Sequence, residues 1–277
     1  MVSLYDAHLT ALVTACGAES VFDRTIMVPI FGECYIDDLL DLRAYQALAD
    51  GHRWLRTGDP KHFRRLIRSQ YFGVLRDCVR AILHSSDLHL SASTASLFTA
   101  LAIGEHDDIV WNARHIVACW DDDAAMIADY GGAATSTTMP LALSLALTVI
   151  DDPDIRTQCV ALIETLEISP PYLGAMRRWD DENIDDIVAG IVDFRSTLTN
   201  TPGFHYEAID GAICWELIAI SALRKRAGLA PIAPNLRHYQ SALNSMCWQS
   251  AITPTQHQLR DAIFHSSTDL SHSFTGI

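Results

Sequence analysis

Residues 63–83, FRRLIRSQYFGVLRDCVRAIL, decide the fold class. From Phe63 the apolar side chains recur at Leu66, Ile67, Tyr71, Val74, Leu75, Cys78, Val79, Ile82 and Leu83, in steps of three and four. That period sets them on one face of an α-helix. Arg64, Arg68, Arg76 and Arg80 fall in a line opposite it. Similar patterns cover about 34–57, 92–103, 107–120, 139–150, 154–167, 183–199, 205–227 and 235–248. Period-two alternation is nearly absent, and β-branched runs are short. The sequence predicts an all-α fold.

Breaks between the periodic segments carry turn chemistry. Gly58-Asp59-Pro60 and Asp151-Asp152-Pro153 each place an acid at an N-cap and proline at the first helical position. Gly104 and Gly228 stand where helices should stop, and Ser169-Pro170-Pro171 separates two more. A weak repeat links Ala100–Ile109 to Ala146–Ile155, and an earlier unit runs from Trp54 to Phe63. A short apolar helix, an acidic turn and a second amphipathic helix is the plan of helical-repeat stacks. The expected architecture is stacked antiparallel helix pairs, either repeat-like or as an irregular bundle. No long linker appears, so residues 1–277 read as one domain. Within it we distinguish N-terminal helices (1–90), acidic stacked pairs (91–250) and a polar C-terminal tail (251–277).

Composition bounds the function. Hydrophobic residues make up 49% and charged residues 19%, enough to bury a core and too apolar for a disordered chain. Tyr130–Ile150 is uncharged, but Pro140 leaves too few apolar residues for a membrane span, and the start MVSLYDAHLT has no leader-like pattern. The seven cysteines are scattered without a C-x-x-C pair, which fits buried thiols in a reducing cytoplasm.

Charge is uneven. The formal net charge is -14, and residues 101–200 hold 18 acids against five arginines, a balance of -13. Such a surface repels phosphate, which disfavours nucleic acid, and attracts a basic protein. Stacked pairs would align Asp107, Asp108, Asp151, Asp152 and Asp154 along one edge, with Asp59 before them. Asp121-Asp122-Asp123 and the group from Asp180 and Asp181 to Asp186 would follow the second helices, toward the other edge. Capping accounts for many single aspartates, because helix N-termini favour negative charge. It does not account for three in a row, so Asp121, Asp122 and Asp123 lead the candidate contact residues. Trp120 and Trp179 directly precede two of these acidic runs, and an aromatic beside carboxylates is a common hot-spot arrangement. The plainer expectation is that these indoles plug the ends of helix pairs.

Motifs for catalysis are thin. Asp37-Asp38-Leu39-Leu40-Asp41 resembles the D-D-x-x-D magnesium-diphosphate motif of class I terpene synthases and prenyltransferases, whose carboxylates share a helix face. No N-D-x-x-S-x-x-x-E partner follows it. Asp121-Asp122-Asp123 with Gly131-Gly132 resembles the acidic metal motif of ADP-ribosylglycohydrolases, but lacks its threonine and its G-D-x-x-G segment. These leave a magnesium-dependent enzyme acting on a diphosphate or ADP-ribosyl substrate as the alternative. The twelve histidines form no H-E-x-x-H; His84 and His89 are poorly spaced for zinc. We assign no catalytic residue, metal or cofactor.

Phe204-His205-Tyr206-Glu207-Ala208-Ile209-Asp210, continuing through Leu217-Ile218-Ala219-Ile220 to Ala222-Leu223-Arg224-Lys225-Arg226-Ala227-Gly228-Leu229, resembles the C-terminal region of the immunity protein 49 family. These are all-α bacterial proteins associated with polymorphic toxins. The family pattern is a long apolar helix with an R-x-x-G-type stop, preceded by helix pairs with acidic turns. It spans about 90–240, with Ala230-Pro231-Ile232-Ala233-Pro234-Asn235 in place of the family's proline-tyrosine ending. The resemblance implies a cytoplasmic antitoxin that binds its cognate toxin and performs no chemistry itself. An acidic face would suit a toxin with a basic active-site cleft, without nucleic acid or membrane as a partner.

Overall fold

The structure is a computed structural model, describing residues 47, 49–83, 90–129, 133–198, 213–248, 252, 254, 256–257 and 260. Every regular element among them is helical. Helical residues 49–57 precede α1 (Pro60–Leu83), α2 (Leu90–Ile103), α3 (His106–Asp129), α4 (Ala133–Ala146), α5 (Pro153–Thr165), α6 (Pro170–Arg178), α7 (Asp185–Leu198), α8 (Trp215–Arg226) and α9 (Tyr239–Ser245). No helix among them is long and apolar enough to cross a membrane.

The face read from Phe63 onward is the one α1 buries. Phe63, Leu66, Ile67, Tyr71, Val74 and Leu75 are inaccessible to solvent, whereas Arg64, Arg65 and Arg68 are exposed. α1 starts three residues before Phe63: Asp59 Oδ1 accepts from the Lys61 amide at 2.8 Å, and Pro60 takes the first position. Gly58, at φ 72°, closes the preceding helix with its amide on Trp54 O at 2.7 Å. Beside this turn Trp54 packs on Phe63 and on Tyr239, with ring centroids 4.7 and 4.8 Å away.

α2 sits at the centre. Its sequence, LSASTASLFTALAI, contains no charge, and from Thr94 to Ile103 only Ala95 is even half-exposed. A helix without a polar face must be covered on all sides. α1, α3, α4 and α8 cover it. It ends at Gly104, whose φ of 87° suits glycine and whose missing side chain admits Arg226: a Cβ there would lie 2.8 Å from Nη1.

The 46-residue offset corresponds to two stacked pairs. α2 with α3 and α4 with α5 are the pairs; α2 packs on α4 and α3 on α5. The pattern does not continue, because α6 lies against α4 and α7, while α8 returns to α2. Nor does it extend back to Asp59. Tyr71 meets Asp108, and eleven helical positions separate it from the first residue of α1, about 16 Å along the axis. The turn at Asp59 is therefore not level with the turn at Asp107.

Several boundaries moved for physical reasons. α4 begins before Pro140 and runs through it, so packing against α2, α3, α5 and α6 outweighs the ~3 kcal/mol proline penalty. Pro170-Pro171, read as a separator, opens the short helix α6, where proline's fixed φ is pre-set for the first turn. The segment set apart as a polar tail is held down where described. Ile252 and Gln256 are buried, and Gln256 Nε2 donates to Arg68 O at 2.8 Å.

At α5, Asp152 accepts from the amides of Asp154 (2.9 Å) and Ile155 (3.2 Å), with Pro153 at the first position. Asp152→Ala is expected to lower stability by about 1 kcal/mol, the usual cost of a lost N-cap. Urea unfolding measures it, and an unchanged midpoint would remove the cap from the account.

Candidate functional site

The predicted contact residues separate into exposed, capping, paired and buried groups. Asp107 is exposed at the start of α3, with its carboxylate 3.4 Å from His106 Nδ1. Asp151 and Asp154 are exposed around the cap of α5. The Arg114 guanidinium lies 3.6 Å from Asp152, tying α3 to this turn. Seven helical positions separate Asp107 from Arg114, about 10 Å along α3. Asp107 therefore stands about two turns of α3 from the point where Asp152 meets that helix, with Asp151 and Asp154 close to Asp152 in the chain.

Asp108 departs from its assignment. It is fully buried rather than part of an acidic ridge, and its Oδ2 accepts from Tyr71 Oη at 2.6 Å. As the third residue of α3 it falls on the face bearing Ile109, Asn112, Ala113 and Ile116, all buried. Burial pushes its carboxyl up to about 7 against the hydrogen bond from Tyr71.

Asp121, Asp122 and Asp123 also depart from theirs. α3 continues to Asp129, so the triplet lies within the helix and not in a turn after it; the side chains of 121–129 lie outside the described residues. The sequence ended this helix at Trp120 because three aspartates are poor helix formers. Asp37–Asp41, Gly131-Gly132, His84 and His89 also lie outside the described residues. Among those described, no group of three or more His, Cys, Asp or Glu could hold a metal ion.

Trp120 and Trp179 are half-buried and pack against the core; Trp179 stands at the end of α6, whereas Trp120 lies within α3 and not at its end. The turn after Trp179 is stapled by two arginines. Arg178 reaches Asp181 at 2.7 Å and Asp186 at 2.9 Å, and its hydrogen bond holds the Asp186 carboxyl below the usual range. Arg224 donates through Nη1 to the carbonyls of Trp179 and Asp181, both at 2.7 Å, and through Nη2 to Glu182 O at 3.2 Å. Asp180 is exposed beside this staple; Asp181 is part of it.

Two constellations escaped the sequence reading. The first is the end of α8, where Arg224, Lys225 and Arg226 each serve carbonyls in a different part of the fold. Arg224 takes the α6–α7 turn, Lys225 Nζ donates to Met246 O at 2.6 Å after α9, and Arg226 donates to Leu101 O and Ala102 O of α2. Helix C-termini leave carbonyls unpaired, and cations satisfy them.

The second is a buried polar cluster joining four elements. Glu216 of α8 accepts from Arg195 Nη1 of α7 at 2.6 Å and from Tyr172 Oη of α6 at 2.9 Å. The Cys214 thiol donates to Glu216 Oε2 at 3.4 Å, its amide donates to Tyr239 Oη at 2.6 Å, and Arg195 Nη2 donates to Ile213 O at 3.1 Å. Burial alone would push the Glu216 carboxyl up, but Arg195 and the hydrogen bonds hold it below the usual range. Burial pushes the Cys214 thiol and both tyrosines upward. Glu216 and Arg195 are only 1% and 8% exposed, so the cluster joins the helices from within the core. Its only sequence signal is one glutamate interrupting the apolar run from Ile213 to Leu223.

Of the described cysteines, Cys159 and Cys214 are buried as expected and Cys247 is exposed. Comparison of the chain with known protein families, with characterised proteins and with solved structures finds no match.

Proposed function

We propose that this chain is a non-catalytic protein-binding protein, an immunity protein that neutralises a cognate toxin in the cytoplasm. It acts by covering a basic active-site cleft with the edge bearing Asp107, Asp151 and Asp154. One observation carries the reading: the fold itself uses the arginines of the acidic third. Arg195 is buried on Glu216, Arg178 bridges two aspartates, and Arg156 donates to the carbonyls of Leu147 and Ile150. A guanidinium bonded to carbonyls keeps its charge, so Arg114 and Arg156 offset part of the charge of Asp107, Asp151, Asp152 and Asp154, and the carboxylates remain in excess. An edge of like charge steers an oppositely charged partner and is screened by salt.

The test begins with capture of a basic partner from the native host at low and high salt, followed by an assay of that partner's toxic activity. The expected result is near-equal recovery and inhibition by the wild type. Reversing Asp107, Asp151 and Asp154 to lysine should slow association by about 10- to 100-fold at low salt. Because Asp107 and Asp154 occupy first helical turns, the asparagine triple variant controls for lost stability. Recovery of the bait alone, with an adjacent toxin gene demonstrably expressed, would overturn the reading. So would association indifferent to both the reversal and salt.

A further inference from the structure

The first two turns of α3 hold two buried oxygens that no described residue reaches. Asp108 Oδ2 is satisfied by Tyr71, but Asp108 Oδ1 is buried without a hydrogen-bond partner among the described residues. One turn further on, Asn112 Nδ2 donates to Asp108 O at 2.7 Å, which leaves Asn112 Oδ1 buried and also without a partner. Both are acceptors, and each buried acceptor without a donor costs about 1–3 kcal/mol. Of the two groups only the carboxyl can turn an acceptor into a donor, by carrying a proton.

We propose that Asp108 is a buried proton latch: the folded protein holds its carboxyl in the protonated form in acid, and loses that proton as the solution becomes basic. The folded state is accordingly favoured in acid and loses that contribution as the carboxyl ionises. This inference concerns the fold and is independent of any partner.

The surroundings fit a neutral acid. α2 and α4, both packed against α3, carry no ionisable side chain. α1 contributes Tyr71, whose hydroxyl favours the ionised form. Glu105 and Asp107 flank Asp108 with like charge and disfavour ionisation. Arg260 opposes them, but its Nη1 lies 2.5 Å from Glu105 Oε2, so it arrives already paired. On the α5 side, Asp152 is beside Arg114. Burial outweighs the rest, and the carboxyl titrates about 7 in the folded chain against 3.8 ordinarily.

The sign follows from proton linkage. A carboxyl whose folded pKa is raised takes up a proton on folding between the two values. Its stabilisation is complete below the unfolded pKa and is lost as pH rises through the folded one.

Urea unfolding of wild type and Asp108→Asn between pH 4.5 and 8.5 tests this. Asparagine keeps an oxygen for Tyr71 and places a permanent donor at the other position. Dividing the wild-type folding constant by that of the variant removes the other titrations. The ratio should fall about tenfold per pH unit below neutrality and level off above it. Tyr71→Phe removes a bond that favours the ionised form, and should move the levelling point to higher pH. Should Asp108→Asn fail to fold, infrared titration of wild type and Tyr71→Phe reads the protonated carboxyl band directly. A flat ratio would overturn the latch, as would absence of that band at pH 5. A water donating to both oxygens would leave Asp108 ionised and produce that flat result.

Discussion

Glu216→Ala should cost about 3–5 kcal/mol of folding stability, the largest loss expected from any single substitution here. The reason is what it leaves behind. Arg195 would keep its charge and its bond to Ile213 O in a place only 8% exposed, but without the Glu216 carboxylate that balances it. Tyr172 and Cys214 would lose the acceptor of their buried hydrogen bonds as well. Glu216→Gln keeps the shape and an acceptor for Tyr172 but removes the countercharge, so it should be intermediate. Replacing both ions, as Arg195→Met with Glu216→Leu, should recover much of the loss, because the desolvation of two charges is then avoided. Denaturant unfolding of these proteins together with the single variants Arg195→Met and Glu216→Leu measures the coupling. If the double variant is no better than Glu216→Ala, the cost lies in packing and not in the stranded charge.

The second large effect is expected at Arg224. It is 2% exposed and donates to four carbonyls, those of Trp179, Asp181, Glu182 and Ala230. Arg224→Ala should cost about 3 kcal/mol or more, since those acceptors include the backbone of a turn with no other described donor of this kind. Arg224→Lys keeps the charge but offers a compact ammonium in place of a planar fork, and cannot span three carbonyls of one turn. It should recover no more than about half of that loss. The local sign should be faster amide exchange over 179–184 in both variants. Equal exchange with reduced global stability would assign Arg224 a role in core packing instead.

Where the sequence could be read, a local rule was enough. The period from Phe63, the proline-acid turns and the stop at Gly104 involve residues within a turn or two of one another, and each fell within a few positions of its helix end. What could not be read depends on distance along the chain. Arg226 and Ala102 are 124 residues apart, and Tyr172 and Glu216 are 44 apart. Nothing in Arg224-Lys225-Arg226 distinguishes three cappers from an ordinary basic last turn. Asp108 shows the limit most sharply. It lies next to Asp107 and has the same chemistry, yet one position of helical rotation puts Asp107 in solvent and Asp108 in the core. An aspartate pair reads as surface; only the partner helix, which supplies Tyr71, reveals that one of them is inside.

The uncharged helix α2 has a consequence for how the chain is made. Its coverings come from both directions of the chain: α1 precedes it, α3 and α4 follow directly, and α8 begins at Trp215. During synthesis the ribosome releases α2 more than a hundred residues ahead of α8. For that interval, at typical elongation rates of about 5–20 residues per second, one side of this uncharged helix waits uncovered for several seconds. A chain arrested before α8 would present that side as a sticky surface, the kind chaperones hold and proteases clear. Slowing translation between α7 and α8 should therefore raise aggregation more than an equal pause after α9.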